Sequence, residues 1–275
     1  MQKSTKPKLE WYNRHNGGNM KIAILGAGAF GTALGGVLAD NGYDIDYYDV
    51  YKEKERLSDA VKEAKFILLS VPSVVAPHML PHLPKNIPLI VATKGILTDA
   101  IFAEFKDWMV LSGPGFAADI KAAKPTHLTA TDLRITELFK IGCLDFDQTL
   151  DKKGVLMCGA LKNVYAIGAG LRNLQSGTKE HEAYLREAAA EIQALLLING
   201  ADPRTVELNC GRGDLRVTCS LMSRNYKYGQ KLREHSQVEP ETVEGLAAIR
   251  RIKRGEIDLP GNLKILEEIL DEIEC

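Results

Sequence analysis

The sequence predicts an α/β Rossmann fold, a doubly wound and mainly parallel sheet, followed by an all-α domain. Three observations carry this expectation. Short, continuously apolar runs recur between residue 21 and about 150, a glycine-rich turn follows the first of them, and helical periodicity takes over beyond 150.

Residues 1–19, MQKSTKPKLEWYNRHNGGN, are polar and aperiodic and read as an extension outside the fold. The apolar runs that follow are KIAILG (21–26), YDIDYYD (43–49), KFILLSV (65–71), LIVATKG (89–95) and WMVLSGP (108–114). HLTATD (127–132) and FDQTL (146–150) are further strand candidates. DAVKEA (59–64) has helical character, whereas Pro77, Pro81 and Pro84 keep 77–86 from forming a long helix. The same prolines disrupt the i, i+4 relation that His78 and His82 would need to share a metal. Beyond 150 the periodicity predicts helices over 155–170, 180–199, 216–233 and 261–274. Between the second and third of these lies NGADP, where Gly200 suits a helix C-terminus, Asp202 an N-cap and Pro203 a first turn. The expected domains are 20–152, binding a dinucleotide, and 153–275, helical.

Charge and cysteine usage exclude several classes. Lys and Arg number 35 against 36 Asp and Glu, so no broad basic field points to nucleic acid. Five scattered cysteines with no C-x-x-C pair suit reduced thiols in the cytoplasm. The longest purely aliphatic run, ALLLI (194–198), is far short of a membrane span, and no charged-then-apolar leader opens the chain.

GAGAFG (26–31) is the G-x-G-x-x-G pattern between a strand and a helix. Gly26 permits the tight turn, Gly28 lets backbone approach a pyrophosphate, and Gly31 lets helix and strand pack closely. Ala29 and Phe30 complete the loop at the helix N-terminus, where free N–H groups face the phosphates. Asp49 ends the second run, where a carboxylate accepts from both ribose hydroxyls and repels a 2′-phosphate. That favours NAD, with NADP the lesser alternative because Lys52 and Lys54 follow closely. The bland alternative has Asp49 capping the next turn.

Ligands of open α/β sheets bind beyond the carboxyl ends of the strands. Three such ends carry SVPS (70–73), TKG (93–95) and SGPGFA (112–117), with Pro72 and Pro114 stiffening the turns. Lys94 is a lone cation on this rim, either a solvated strand-end lysine or a ligand-binding one. Lys162 and Asn163 interrupt the otherwise apolar CGALKNVYAIGAG (158–170), so Lys162 either snorkels from a core helix or is held desolvated.

GAGAFGTALG, VPS, ATKG, SGPGFA, GALKNVYAIGAG, GRGDLRVTC and SRNYKYG resemble, in order and approximate spacing, the NAD(P)-dependent sn-glycerol-3-phosphate dehydrogenase family. The resemblance runs from about residue 21 to 250. It implies reversible reduction of dihydroxyacetone phosphate to sn-glycerol 3-phosphate by a cytoplasmic homodimer. It also implies Lys162 as the catalytic lysine, with Lys94, Asn163, Asp214 and Thr218 around the reacting carbon. Arg224 and Asn225 would hold the substrate phosphate and Gly113 would touch substrate through its backbone. Pro72, Lys94, Ala117, Arg224 and Glu244 would touch the cofactor. For Asp214 the residues alone also allow a helix N-cap, and for Arg224 a surface arginine.

The chain departs from the family in a short stretch between Asp49 and Lys65, in Gly115 where a hydroxyl residue is usual, and in Cys158 in place of glycine. The Asp214–SRN spacing is one residue short, and 176–191 keeps little of the family's glycine-rich sequence. Two other readings follow: a reductase of another small phosphorylated or acidic ketone, and a dinucleotide-binding interaction protein without catalysis.

Overall fold

The structure is a computed structural model that describes residues 20–50, 56–234 and 243–273; the extension expected over 1–19, Lys52 and Lys54 lie outside them. Its first half is a seven-stranded sheet of β1 (Lys21–Leu25), β2 (Asp44–Tyr48), β3 (Phe66–Leu69), β4 (Leu89–Val91), β5 (Trp108–Ser112), β6 (Thr126–Ala130) and β7 (Leu144–Gln148). The order is β2-β1-β3-β4-β5-β6-β7. Strands β1 to β5 pair in parallel, β6 runs antiparallel to β5, and β7 pairs in parallel with β6. The winding direction reverses between β1 and β3, which makes that crevice the topological switch point.

Both faces of the sheet's centre are covered, which explains why β1, β3, β4 and β5 are almost continuously apolar. Ile22, Ile24, Leu68 and Ile90 pack with Ala33, Leu34 and Leu38 of helix α1 (Ala29–Asp40). Ala23, Leu25, Ile67, Leu69 and Val91 point the other way, into the core shared with the C-terminal helices. The remaining helices of this half are short: α2 (Leu57–Ala60), α3 (Ala76–Met79), α4 (Ala117–Lys121) and α5 (Leu133–Leu138). Pro81 lies in a 3₁₀ turn (Leu80–His82) that ends the 77–86 stretch, as its prolines require.

The second half is helical: α6 (Lys152–Leu171), α7 (Lys179–Ile198), α8 (Asp214–Thr218), α9 (Arg224–Arg233), α10 (Glu244–Lys253) and α11 (Lys264–Glu272). Helix α6 is its axis, buried at every residue from Gly154 to Gly170 and packed by α7, α9, α10 and α11. It is long and apolar enough to cross a membrane, but 94% of its apolar window is buried inside this protein. Buried Glu191 ties two of its neighbours to it: its carboxylate accepts from Tyr165 of α6 (2.9 Å) and from the N–H groups of Ile265 and Leu266 (2.8 and 3.0 Å). Those N–H groups belong to the uncapped first turn of α11, so a buried charge is matched to helix donors.

The structure corrects the expected elements in three places. The strand expected to 95 stops at Val91, and Gly95 adopts φ +92°. The helix expected over 216–233 is broken: α8 stops at Thr218, Ser220 and Ser223 form a turn, and Ser223 caps α9 afresh by accepting from the N–H of Asn225 (3.2 Å). The hydroxyl side chains at that break supply local hydrogen bonds that compete with a continuous helix. Helix α10 was not expected; its apolar positions are interrupted by a run of arginines and lysines that hides the pattern.

Candidate active site

Three strand ends, those of β1, β2 and β3, adjoin the switch point. The N–H of Gly26 donates to the Tyr48 carbonyl (2.8 Å), which sets Asp49 beside the glycine turn, and Ser70 donates to Leu25 (2.8 Å). Gly31 has no room for a side chain, because a Cβ would collide with the carbonyl oxygen of Gly26. At Gly28, by contrast, a Cβ would meet nothing within 4 Å. Gly28 is also the N-cap of α1, without a side-chain cap, and both it and Ala29 are exposed. The first-turn N–H groups of a twelve-residue helix therefore face open space, a cradle that fits a dinucleotide pyrophosphate.

Beside this rim is a cavity of about 250 Å³, lined by Lys94, Gly115, Phe116, Lys162, Asn163, Asp214, Thr218, Arg224, Asn225 and Glu244 among others. Its centre is one carboxylate shared by two lysines. Lys162, midway along α6, places Nζ 2.5 Å from Asp214 Oδ1, and Lys94, after β4, places Nζ 3.3 Å from Asp214 Oδ2. Thr218, one turn along α8, accepts from Lys162 Nζ (3.2 Å) and donates to the Asp214 backbone carbonyl (2.6 Å). The side chains of Lys162 and Asp214 are 5% and 2% exposed, so Lys162 does not snorkel to solvent.

Burial pushes the Lys162 amine down, Asp214 holds it up, and Lys94 pushes it down again, for a pKa of about 7. Desolvation of a cation next to a second cation therefore outweighs one nearby carboxylate. An amine poised there exchanges a proton near neutral pH, as a general acid–base group must.

Lys94 is fixed from two further directions. Its Nζ donates to the Gly113 carbonyl (2.9 Å) and lies 5.3 Å above the ring of Phe30, the aromatic residue of the glycine loop. Glu244, first residue of α10, accepts from the Ser73 hydroxyl (2.6 Å) and N–H (3.3 Å), joining the helical half to the loop after β3.

Asn163 and Asn225 form a relay across three helices. Asn163 donates to Gly159 (3.2 Å), Asn225 donates to Asn163 Oδ1 (2.9 Å), and Gly245 donates to Asn225 Oδ1 (2.9 Å). The relay fixes the start of α9, where Arg224 is exposed on the cavity wall. A guanidinium at a helix N-terminus is a suitable receptor for a phosphate dianion.

The structure thus gathers Lys94, Lys162, Asn163, Asp214, Thr218, Arg224, Asn225 and Glu244 around one cavity, with Gly113 and Phe30 touching it through Lys94. Gly26, Gly28, Ala29, Gly31, Asp49, Pro72 and Ala117 lie outside its lining, on the strand ends, adjoining loops and helix starts. Asp214 is not a helix N-cap: Gly213 holds that place, and the Asp214 carboxylate faces the two lysines.

Sequence reasoning missed what delivers Asp214. The preceding segment, Asn209–Gly213, is a π-helical turn. Asp147 of β7 accepts from the Asn209 N–H and side chain (2.7 and 2.8 Å), and Thr129 of β6 accepts from the Cys210 N–H (2.8 Å). Gly211 was the available signal, since a Cβ there would collide with the Val206 carbonyl. π-Turns concentrate at functional sites because they re-aim the next residue.

Comparison with known proteins points to one family. Residues 151–271 match the family model described as NAD-dependent glycerol-3-phosphate dehydrogenase C-terminus. The glycerol-3-phosphate dehydrogenase [NAD(P)+] of Leptospira biflexa is 33% identical over 78% of this chain and 79% of its own. That of Bacillus velezensis is 32% identical over 80% and 78%. The crystal structure of glycerol-3-phosphate dehydrogenase from Coxiella burnetii superposes with a TM-score of 0.74 at 25% identity, covering 92% of this chain and 96% of that one. This chain belongs to the NAD(P)-dependent glycerol-3-phosphate dehydrogenase family.

Proposed function

We propose that this protein interconverts dihydroxyacetone phosphate and sn-glycerol 3-phosphate, with Lys162 as general acid–base. The observation that carries the reading is the Lys162–Asp214–Lys94 array lining a cavity at the switch point of the sheet. A bound nicotinamide supplies or accepts the hydride at the carbinol carbon. In reduction, the carbonyl π electrons move to oxygen, which takes a proton from Lys162 Nζ. Thr218 and Asp214 aim that ammonium, and Lys94 adds positive charge beside the developing alkoxide. Arg224 and the start of α9 hold the phosphate, and the Asn163–Asn225 relay fixes their position.

The same reading divides the chain near residue 152, the first residue of α6, into a cofactor half and a substrate half. Asp49, next to the glycine turn, supports NAD over NADP. A cytoplasmic homodimer accompanies the reading; cell fractionation and sedimentation test it. Gly115 on the cavity wall supports a second reading, a related phosphorylated ketone as substrate.

The deciding assay follows NADH oxidation with dihydroxyacetone phosphate alongside other phosphorylated ketones. Turnover of dihydroxyacetone phosphate with the highest kcat/KM is expected. Preference for another ketone selects the second reading, and no turnover by folded, NADH-binding protein sinks both. Repeating the assay with NADPH tests Asp49, since a higher kcat/KM with NADPH contradicts the NAD preference.

A further inference from the structure

Two turns beyond Glu244, helix α10 makes a second connection to the strand-end loops that no step of the reaction requires. Arg251 donates from Nη1 to the Gly95 carbonyl (2.9 Å) and from Nη2 to the Ser73 carbonyl (2.9 Å). The first carbonyl belongs to the residue after Lys94, and the second to the loop whose hydroxyl and N–H Glu244 already holds. One planar fork therefore joins the loops after β3 and β4 to the helical half of the protein. Its Nε lies 4.0 Å from Glu256 Oε1, at the limit of an ion pair, so both short contacts of the guanidinium are to the two carbonyls.

The turn it grips is a special one. Gly95 has φ +92°, a conformation that residues with a Cβ rarely adopt, and a Cβ there would lie 2.5 Å from Glu244 Oε2. The loop is thus pressed against α10 directly beside Lys94. From there the Lys94 ammonium reaches Gly113 and Asp214, the carboxylate it shares with Lys162.

We infer that Arg251 is a positioning residue: by holding Gly95 and Ser73, it sets where Lys94 places its ammonium against Asp214 and Lys162. The inference rests on the proposed role of that lysine pair, but its test does not need the substrate. Lys162 is faced by the Asp214 carboxylate, the Lys94 ammonium and the Thr218 hydroxyl, with the Cys219 thiol also within electrostatic reach. Of these, Asp214 pushes its pKa up and Lys94 pushes it down. A retreat of Lys94 therefore raises the Lys162 pKa, whereas an arginine that only stiffens the fold leaves it in place.

The experiment measures acetylation of Lys162 by acetic anhydride as a function of pH, read by mass spectrometry in the full chain without ligands. The proteins are wild type, R251K, R251Q, K94A and R251K/K94A. R251K keeps the charge, but one ammonium does not reproduce a fork between two carbonyls. The midpoint, about 7 in wild type, is expected to rise in R251K and K94A, with no further rise in the double variant. R251Q, also expected to rise, carries the test if R251K does not fold. A loss in kcat/KM of about 10- to 100-fold in R251K is expected alongside, typical of a displaced reacting group. A wild-type midpoint in R251K, a K94A midpoint that fails to rise, or full additivity in the double variant overturns the inference. Wild type that labels as expected but does not reduce dihydroxyacetone phosphate would overturn the proposed function instead.

Discussion

The glycine rim and the lysine cavity adjoin each other but are made of opposite materials. At the rim, the groups offered to a ligand are backbone N–H groups at the start of α1, and the residues that matter are those without side chains. In the cavity, the groups are side chains with charge or protons to offer, and two of them, Lys162 and Asp214, are almost wholly enclosed. A backbone cradle gains its specificity from shape and needs no proton of its own. A buried ion is costly unless paired, and that cost is what moves an amine to a useful pKa.

Four substitutions test this contrast, beginning with the largest effect. Lys162→Ala is expected to lower kcat by about 10²- to 10⁴-fold, the usual weight of a general acid–base group, while NADH affinity by fluorescence titration stays unchanged. An equal loss of NADH affinity would show that rim and cavity are not separable. Gly31→Ala should act on the fold, because its Cβ collides with backbone: about 1–3 kcal/mol of stability is expected to be lost in urea unfolding. Gly28→Ala should do the reverse. Its Cβ meets nothing in the protein, so the unfolding midpoint should hold while NADH affinity falls about tenfold, the worth of roughly one lost hydrogen bond to a charged group.

The smallest effect is on pH dependence. With the Lys162 amine near 7 and in its proposed role, ketone reduction should draw on the protonated form and decline as pH rises through about 7. Alcohol oxidation uses the neutral amine and should increase over the same range. Asp214→Asn removes the group that holds the amine up, so both midpoints should move to lower pH. A midpoint that stays in place or moves to higher pH in Asp214→Asn would show that Asp214 does not set this amine.

The rim was readable from sequence and the supports of the cavity were not, for the same material reason. Gly26, Gly28 and Gly31 act through local backbone geometry, and local geometry leaves a local pattern. All seven strands were readable because each is apolar on both faces or bounded by turn residues. Lys162 and Asn163 stood out because they are polar in an apolar helix. Asp147, Asn209 and Arg251 did not, since a polar residue on a polar segment has no signature until the fold supplies its partner. Arg251 in particular sits among Arg250, Lys253 and Arg254, and nothing local separates the one that reaches two carbonyls from its neighbours. The break after Thr218 was hidden because the apolar spacing of the two short helices runs on in phase across it.

Helix α6 has one more consequence, for the chain before it folds. By length and composition alone its twenty residues would pass for a membrane span. Lys162 stands at the middle of that span, where a charged side chain costs insertion about 2.5–3.5 kcal/mol. Replacing it with an apolar residue would therefore remove that insertion cost along with the proposed proton donor.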